Sequence, residues 1–355
     1  MNGQSLLSYL EGEQRAPGLL RPLTPLLGGA GTIYGTVQAL RAACYQKSLF
    51  KSYKAPCPVI SIGNITSGGT GKTPFTLWLA RTLLAEGRRV AVVSRGYRQA
   101  SNSQVTVVST PDGIRTRPPL AADEAYLIAR RLPGVTVITG PQRNLTIGAA
   151  VEDFGCDIVL MDDAFQHLKV QRDLDIVLLD ATLPWSNGKL LPGGLLREFP
   201  QALRRADILV LTRSETASIT ESNRQYITKN IVDKPIFTAK FTPQSWHPNP
   251  LPEGAALAFC GIARPETFRR TLENEPLTIN KFIPFADHHP FTHEQISDLE
   301  SAAKDCGAKY LVCTEKDAVK IDRERLTMPL YYPIMEMDLG EDGAKIHAQA
   351  LKAGA

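Results

Sequence analysis

One stretch narrows the choice of fold more than any other: Ile60-Ser-Ile-Gly-Asn-Ile-Thr-Ser-Gly-Gly-Thr-Gly-Lys-Thr73. The run Val59 to Ile62 is mostly apolar and reads as a buried strand. A loop of small residues follows, and Lys72 and Thr73 open a helical pattern with Leu77, Leu79, Ala80, Leu83 and Leu84 on its apolar positions. Strand, glycine loop, Gly-Lys-Thr and helix in that order form the phosphate-cradling P-loop. Small side chains let backbone N–H groups close on phosphate oxygens, and the helix N-terminus adds its positive dipole end. Thr66, Ser67, Gly68, Gly69, Thr70, Gly71, Lys72 and Thr73 are therefore the expected nucleotide-binding residues. Lys72 would reach the β- and γ-phosphates, and the Thr73 hydroxyl would bind Mg²⁺. The general pattern places glycine six residues before the lysine, where this chain has Thr66. Gly68 and Gly69 are expected to supply the flexibility instead.

Downstream, strand and helix patterns alternate. Strands are expected at Arg89 to Ser94, Val105 to Ser109, Val135 to Thr139, Asp175 to Asp180 and Asp207 to Thr212, and helices at 122–132 and 143–150. This alternation predicts an α/β fold, a mostly parallel sheet with helices on both faces. Ile158-Val-Leu-Met-Asp-Asp163 is an apolar strand ending in acids, about ninety residues after the P-loop, and reads as a Walker B element with metal-binding carboxylates. Gln166 and His167 follow near the same strand end, where open α/β sheets bind ligands; His167 is either a site residue or a satisfied structural histidine. Ser94-Arg-Gly-Tyr-Arg98 is either a phosphate contact or a solvated loop. Asp123-Glu124 would cap the helix that they begin. Leu191-Pro-Gly-Gly-Leu-Leu-Arg-Glu198 ends in an Arg–Glu pair, either an exposed salt bridge or, with Glu198, a third metal carboxylate.

Pro22 to Leu40 carries no charge, yet glycines, prolines and threonines dilute its hydrophobicity. Leu26, Ala30, Ile33, Val37, Leu40 and Cys44 step by four and three, which makes one face of a helix. Arg41, Lys47, Lys51 and Lys54 follow. Residues 1–55 are thus expected to hold an amphipathic helix lying on a membrane surface; packing on its own domain and spanning the bilayer are the alternatives. The first residues, Met-Asn-Gly-Gln-Ser, lack the pattern of a secretory signal. The net charge of +4 is too small to imply nucleic acid. The six cysteines show no metal-site spacing and read as buried thiols in a reducing compartment.

A length of 355 residues favours two domains. The P-loop core is expected at 56–240. Residues 241–254 carry four prolines and Gly254 and read as a linker, and residues 255–355 as a smaller α/β domain that helps to form the cleft. In that domain strands are expected at Ala255 to Cys260, Thr278 to Phe285 and Tyr310 to Thr314, with helices at Pro265 to Glu273 and Thr292 to Cys306. Phe285-Ala-Asp-His-His-Pro-Phe291 brings three ionisable side chains to a Pro-flanked loop, where His288 paired with an acid would orient a proton acceptor. Thr314-Glu-Lys-Asp317 reads as a helix cap.

Together these motifs resemble one family, the tetraacyldisaccharide 4′-kinases, which phosphorylate the lipid A precursor of Gram-negative bacteria. The resemblance rests on Gly63-Asn-Ile-Thr-Ser-Gly-Gly-Thr-Gly-Lys-Thr-Pro74, Ser94-Arg-Gly-Tyr97, Asp123-Glu124, Gly140-Pro-Gln-Arg143, Asp162-Asp-Ala-Phe-Gln-His167, Pro192 to Glu198, Phe259 to Pro265, Asp287-His288 and Thr314 to Asp317. Ala164 stands where the family usually has glycine, and His289 where tyrosine is common. The resemblance implies ATP and Mg²⁺ as cofactors, a glycolipid acceptor, and transfer to the 4′-hydroxyl of a tetraacylated glucosamine disaccharide 1-phosphate. It implies catalytic roles for Lys72, for Asp123 as base and for His288 as its partner. Thr73, Asp162, Asp163 and Glu198 would surround the metal, and Arg143 and His167 would line the substrate. It also fits a place on the cytoplasmic face of the bacterial inner membrane, and no obligate protein partner is expected.

Two other classes remain open. A membrane-associated P-loop ATPase or GTPase switch would need no sugar acceptor, but the chain has no Asn-Lys-x-Asp element, and Thr314-Glu-Lys-Asp317 only resembles one. A lipid-binding module with a relic nucleotide loop fits poorly with intact Lys72, Thr73, Asp162 and Asp163.

Overall fold

Period-2 alternation along the buried strands decides the layering. In the computed structural model, which describes residues 9–12, 21–97, 99–215 and 217–354, strands β1 (Val59–Gly63), β2 (Val90–Ser94), β5 (Thr136–Thr139), β6 (Ile158–Asp162), β7 (Leu174–Asp180), β8 (Ile208–Thr212) and β9 (Ile236–Thr238) run parallel in the order β5-β2-β6-β1-β7-β8-β9. β3 (Thr106–Thr110) and β4 (Gly113–Ile114) extend the β5 edge as an antiparallel hairpin. Ile60, Ile62, Val90, Val92, Ile158 and Leu160 face one side, against the helices at Lys72–Ala85 and Asp123–Arg131. Val59, Ala91, Val93, Val159 and Met161 face the other, against Ile147 and Ala150 of the helix Arg143–Glu152. The expected α/β sheet covered on both faces is what the chain forms.

A second, five-stranded sheet has the order β10-β14-β13-β11-β12, from β10 (Lys240–His247), β11 (Ala255–Cys260), β12 (Thr278–Pro284), β13 (Tyr310–Val312) and β14 (Leu330–Asp338). Leu257 and Phe259 pack on the helix His293–Asp305, while Ala256, Ala258 and Cys260 pack on Phe268 and Leu272. Two expectations are corrected here. The stretch read as a linker is a strand over its first half, pairing antiparallel with β14 from Lys240↔Asp338 to His247↔Tyr332. Its proline is tolerated because β10 is an edge strand, where a missing N–H breaks no ladder. Nor do residues 255–355 stay with the second sheet. The final helix, Asp342–Ala353, returns to bury Ile346 and Ala350 in the core of the first sheet, beside Trp78.

The helix Thr24–Gln46 forms where the four-three spacing places it and packs on the rest of the chain through small residues. Its small residues face inward: a Cβ on Gly31 would come within 2.9 Å of the Leu190 carbonyl oxygen, and one on Gly35 would meet Leu190 and Phe199. Its large residues face outward, with Leu26 70%, Ile33 69%, Val37 55% and Leu40 62% exposed. The outward threonines bond back onto the helix, Thr32 Oγ1 donating to the Gly28 carbonyl and Thr36 Oγ1 to that of Thr32. No helix among the described residues is long and apolar enough to cross a membrane. The opening residues read for a secretory signal, and Arg98, lie outside the described residues. All six cysteines are free; Cys156, Cys260 and Cys313 are buried, whereas Cys44, Cys57 and Cys306 are only half-buried.

Candidate active site

The P-loop leaves the C-terminal end of β1, the middle one of the seven parallel strands, between β6 and β7. Thr66 does not turn there; it forms an extended bridge with Leu196, which is why a β-branched residue fits. The positive φ values fall on Gly68 (+125°) and Gly71 (+86°), so Gly71 and not Gly69 shares the turning with Gly68. A side chain on Gly71 would also collide with the ring of Phe241. Asn64 Nδ2 donates to Thr70 Oγ1 at 3.0 Å, and Arg213 Nη2 donates to the Gly69 carbonyl at 2.6 Å, holding the loop from both sides.

Lys72 lies 3.5 Å from Asp163 Oδ1, and Arg197 Nη1 donates to both oxygens of the same carboxylate at 2.8 and 3.1 Å. Desolvation pushes Asp163 up, but Lys72 and Arg197 outweigh it, and its carboxyl stays below the ordinary range. Asp162 behaves in the opposite way. It is buried, Thr76 Oγ1 donates to it at 3.3 Å, and its pKa is pushed up to about 7 by burial and by the charges of Glu124 and Asp163, against Lys72. A buried carboxylate next to other carboxylates, short of positive charge, is what a cation site requires.

The structure does not bring Glu198 into that group. Its carboxylate is buried, pairs with both Nη atoms of Arg205 at 2.9 Å, and accepts from Gln166 Nε2 at 3.0 Å. Arg205 stacks on Phe165 at 4.5 Å. The adjacent Arg197, expected as the partner of Glu198, serves Asp163 instead. Among the described residues no three acidic, histidine or cysteine side chains stand close enough to hold one metal ion, so Asp162, Asp163 and Glu198 form no single ligand set here. Gln166 also donates to the Asn64 carbonyl at 2.9 Å, tying this segment to the P-loop.

Arg143 is 3% exposed, donates to the Gly140 carbonyl at 2.7 Å and leaves Nε without a partner. Burial lowers its pKa to about 10, while Asp162 and Asp163 support its charge. His167 is half-buried and is driven down to about 4 by burial and by Arg143 and Arg41, so it is neutral at pH 7. Arg41 belongs to the N-terminal helix, and its Nη1 donates to the Gln166 carbonyl at 3.0 Å. That helix is thereby bonded to the segment carrying the acids.

Asp123 and Glu124 form the first turn of the helix Asp123–Arg131. Asp123 Oδ2 lies 3.5 Å from Nδ1 of His288, which comes from the loop after β12 and adopts a φ of +57°. The His288 backbone N–H donates to the Gly261 carbonyl at 3.0 Å, and Tyr97 meets the imidazole edge-on at 5.5 Å. The pair expected from two distant segments is therefore assembled. His289 turns away into Phe285 and Phe291, so its replacement of the family's tyrosine leaves the pair alone. Ala164 is fully buried with its N–H on the Ile62 carbonyl; the strained backbone here is that of Asp163, at φ +52°.

Sequence reasoning missed three participants. Glu124 links the two halves of the site: its charge acts on Asp162, and it is stabilised by Lys316 and Lys72. Lys316 Nζ donates to Glu124 Oε1 at 3.0 Å and lies 3.1 Å from His288 Nε2. Asp287 Oδ1 stands 3.8 Å from Lys316 Nζ. Thr314 does cap its helix, accepting from the Asp317 N–H at 3.2 Å, and that capping masked Lys316 in the sequence. Arg131, at the other end of the Asp123 helix, pairs with Glu315 at 2.8 Å and Glu336 at 3.1 Å, so the second sheet's residues hold this helix at both ends.

The family profile described as tetraacyldisaccharide-1-P 4′-kinase matches residues 23–352. The chain belongs to this family. It is 39% identical over 334 residues to the tetraacyldisaccharide 4′-kinase of Syntrophus aciditrophicus (strain SB), covering 89% of each chain. It is 40% identical over 319 residues to that of Syntrophotalea carbinolica, covering 88% of this chain and 87% of the relative. Its fold superposes with a TM-score of 0.75 on crystalline LpxK from Aquifex aeolicus in complex with ATP, at 29% identity, covering 94% of this chain and all of that one.

Proposed function

We infer that this chain transfers the terminal phosphoryl group of ATP to the 4′-hydroxyl of a tetraacylated glucosamine disaccharide 1-phosphate, the lipid A 4′-kinase reaction. One observation carries the reading. Glu124 accepts a hydrogen bond from Lys316, which also touches His288, its neighbour Asp123 faces His288, and its charge raises the pKa of Asp162 on the phosphate side. A phosphate loop and a carboxylate base thus share one site.

Phosphoryl transfer asks mainly for positioning and for charges around the moving phosphate. Lys72 and the P-loop N–H groups would bind the phosphates, Lys72 exchanging Asp163 for them. Thr73, Asp162 and Asp163 fit a divalent cation, since a hydroxyl and two adjacent carboxylates, that of Asp162 buried, are the oxygen donors such an ion takes. Magnesium bound there would neutralise phosphate charge. Glu198 is assigned instead to support, holding Arg205 and Gln166 against the P-loop strand. A sugar hydroxyl is a weak nucleophile, so Asp123 would take its proton as the new bond forms, with His288 orienting the carboxylate. Arg143 and the neutral His167 would line the phosphate and disaccharide region. Residues 56–240 with the returning last helix, and residues 241–338, are the two units whose meeting forms the site.

The outward apolar stripe of the helix Thr24–Gln46 is assigned to the membrane surface where such a lipid resides, on the cytoplasmic side that supplies ATP. Exposed Leu49 and Phe50 extend it, and Lys47, Lys51 and Lys54 are exposed beside them for anionic headgroups. Each fully buried Leu or Ile contributes about 1.5–3 kcal/mol. The test of the function is purified full-length protein with labelled ATP, Mg²⁺ and the disaccharide acceptor in mixed micelles. Labelled glycolipid is the expected product. Release of phosphate at a rate indifferent to the acceptor would assign the chain to an ATPase class instead.

A further inference from the structure

We propose that Lys316 is a positioning residue that fixes which ring nitrogen of His288 carries the proton, and so makes His288 a donor to Asp123. The proposal rests on the kinase reading for its consequence, but its structural claim stands on geometry. An ammonium group has three N–H donors and no lone pair. Lys316 Nζ lies 3.1 Å from His288 Nε2, so Nε2 must offer its lone pair there. In neutral imidazole the other nitrogen then holds the hydrogen. That nitrogen, Nδ1, faces Asp123 Oδ2 at 3.5 Å. The opposite tautomer would set a nitrogen lone pair against a carboxylate and an N–H against an ammonium, and both contacts repel.

The surrounding charges explain why a lysine is needed. Asp287 Oδ1 stands 4.0 Å from His288 Nε2. By itself it would attract a proton onto that nitrogen and favour the unproductive tautomer. Lys316 sits between these groups, 3.8 Å from the same oxygen of Asp287, and donates its shortest bond to Glu124 at 3.0 Å. Burial pulls the Lys316 ammonium down, but Glu124 and Asp287 more than reverse this, so it stays charged. Tyr97 presents a ring edge at 5.5 Å. One long side chain from the helix Glu315–Ala318 thus spans to the first turn of the Asp123 helix and locks the imidazole between two carboxylates. Asp123, held through Oδ2, keeps its other oxygen for the acceptor hydroxyl.

The experiment is a long-range proton–nitrogen correlation spectrum of full-length protein carrying isotope-labelled histidine, near neutral pH and without ATP or lipid. His288 is identified by the signals lost in His288→Gln. The expected wild-type pattern is the Nδ1–H tautomer. In Lys316→Met it converts to Nε2–H, and kcat for glycolipid phosphorylation falls about 10–100-fold with little change in KM for ATP. Lys316→Arg, which also only donates, keeps the Nδ1–H pattern and recovers most of the rate. A wild-type Nε2–H pattern, or an unchanged tautomer in Lys316→Met, overturns the proposal. If Lys316→Met does not fold, the wild-type spectrum decides alone. Absence of transfer by a wild-type protein with the expected spectrum would overturn the kinase reading and leave the tautomer assignment in place.

Discussion

Asp162 and Asp163 close one strand of the first sheet, and the loop bearing Lys72 closes its hydrogen-bonded neighbour, β1. Asp123, His288 and Lys316 meet only because two sheets pack together across more than 160 residues of sequence. The first group is fixed by strand register and by a loop whose shape its glycines dictate. The second depends on long side chains crossing between units, held by pairs such as Arg131 with Glu315 and Glu336. In the proposed reading, nucleotide grip therefore belongs to the first sheet, and acceptor chemistry to the contact between the two sheets. Mutations on the two sides should separate accordingly.

The largest effect is expected on the phosphate side. Lys72→Ala should reduce phosphoryl transfer by about 10³-fold or more and weaken ATP binding as well. Equilibrium nucleotide binding and transfer rates on the same preparation check both halves of that statement. On the acceptor side, His288→Ala should lower kcat by about 10–100-fold and leave KM for ATP almost unchanged. A matching loss of ATP affinity would erase the distinction between the two sides.

A smaller effect, on stability, sharpens the picture of the cation site. The folded pKa of Asp162 lies near 7, above the usual 3.8. Between these values the folded protein keeps a proton that the unfolded chain has released. This group's contribution to stability is therefore complete below the ordinary carboxylate value and lost as pH rises through about 7. Asp162→Asn, which carries no charge to bury, should abolish transfer yet raise the melting temperature by about 2–4 °C at pH 8 without metal or nucleotide. The gain should shrink towards pH 5 in a thermal melt followed across that range. The mildest effect on turnover is expected at the N-terminal helix. Ile33→Asp with Val37→Asp should prevent cosedimentation with anionic vesicles while barely altering rates on micellar acceptor.

The same contrast explains what could be read from the chain. The P-loop, the Asp162-Asp163 strand end and most strand positions were legible because each is a local pattern with a local geometric meaning. Strand β10 was not, because Pro243 and its neighbours look like a linker until the edge position in the sheet is known. The last helix was misassigned because nothing local says that Ile346 and Ala350 return to the first sheet. Glu198 was read as a metal ligand because its partner, Arg205, lies seven residues further along the chain and no local pattern links the two. Lys316 was hidden inside a valid helix cap. The N-terminal stripe was legible from its spacing, but the opposite face was not: Gly31 and Gly35 pack the helix onto Leu190 and Phe199, a contact no local pattern announces.

The central claim is that Asp123 accepts the proton of a sugar hydroxyl at a phosphate site built around Lys72. Single-turnover transfer from labelled ATP to the disaccharide acceptor, comparing wild type with Asp123→Ala at saturating nucleotide, tests it most directly. A rate reduced by about 10²–10⁴-fold with ATP binding retained is the result the structure predicts. Transfer by Asp123→Ala at the wild-type rate would contradict it.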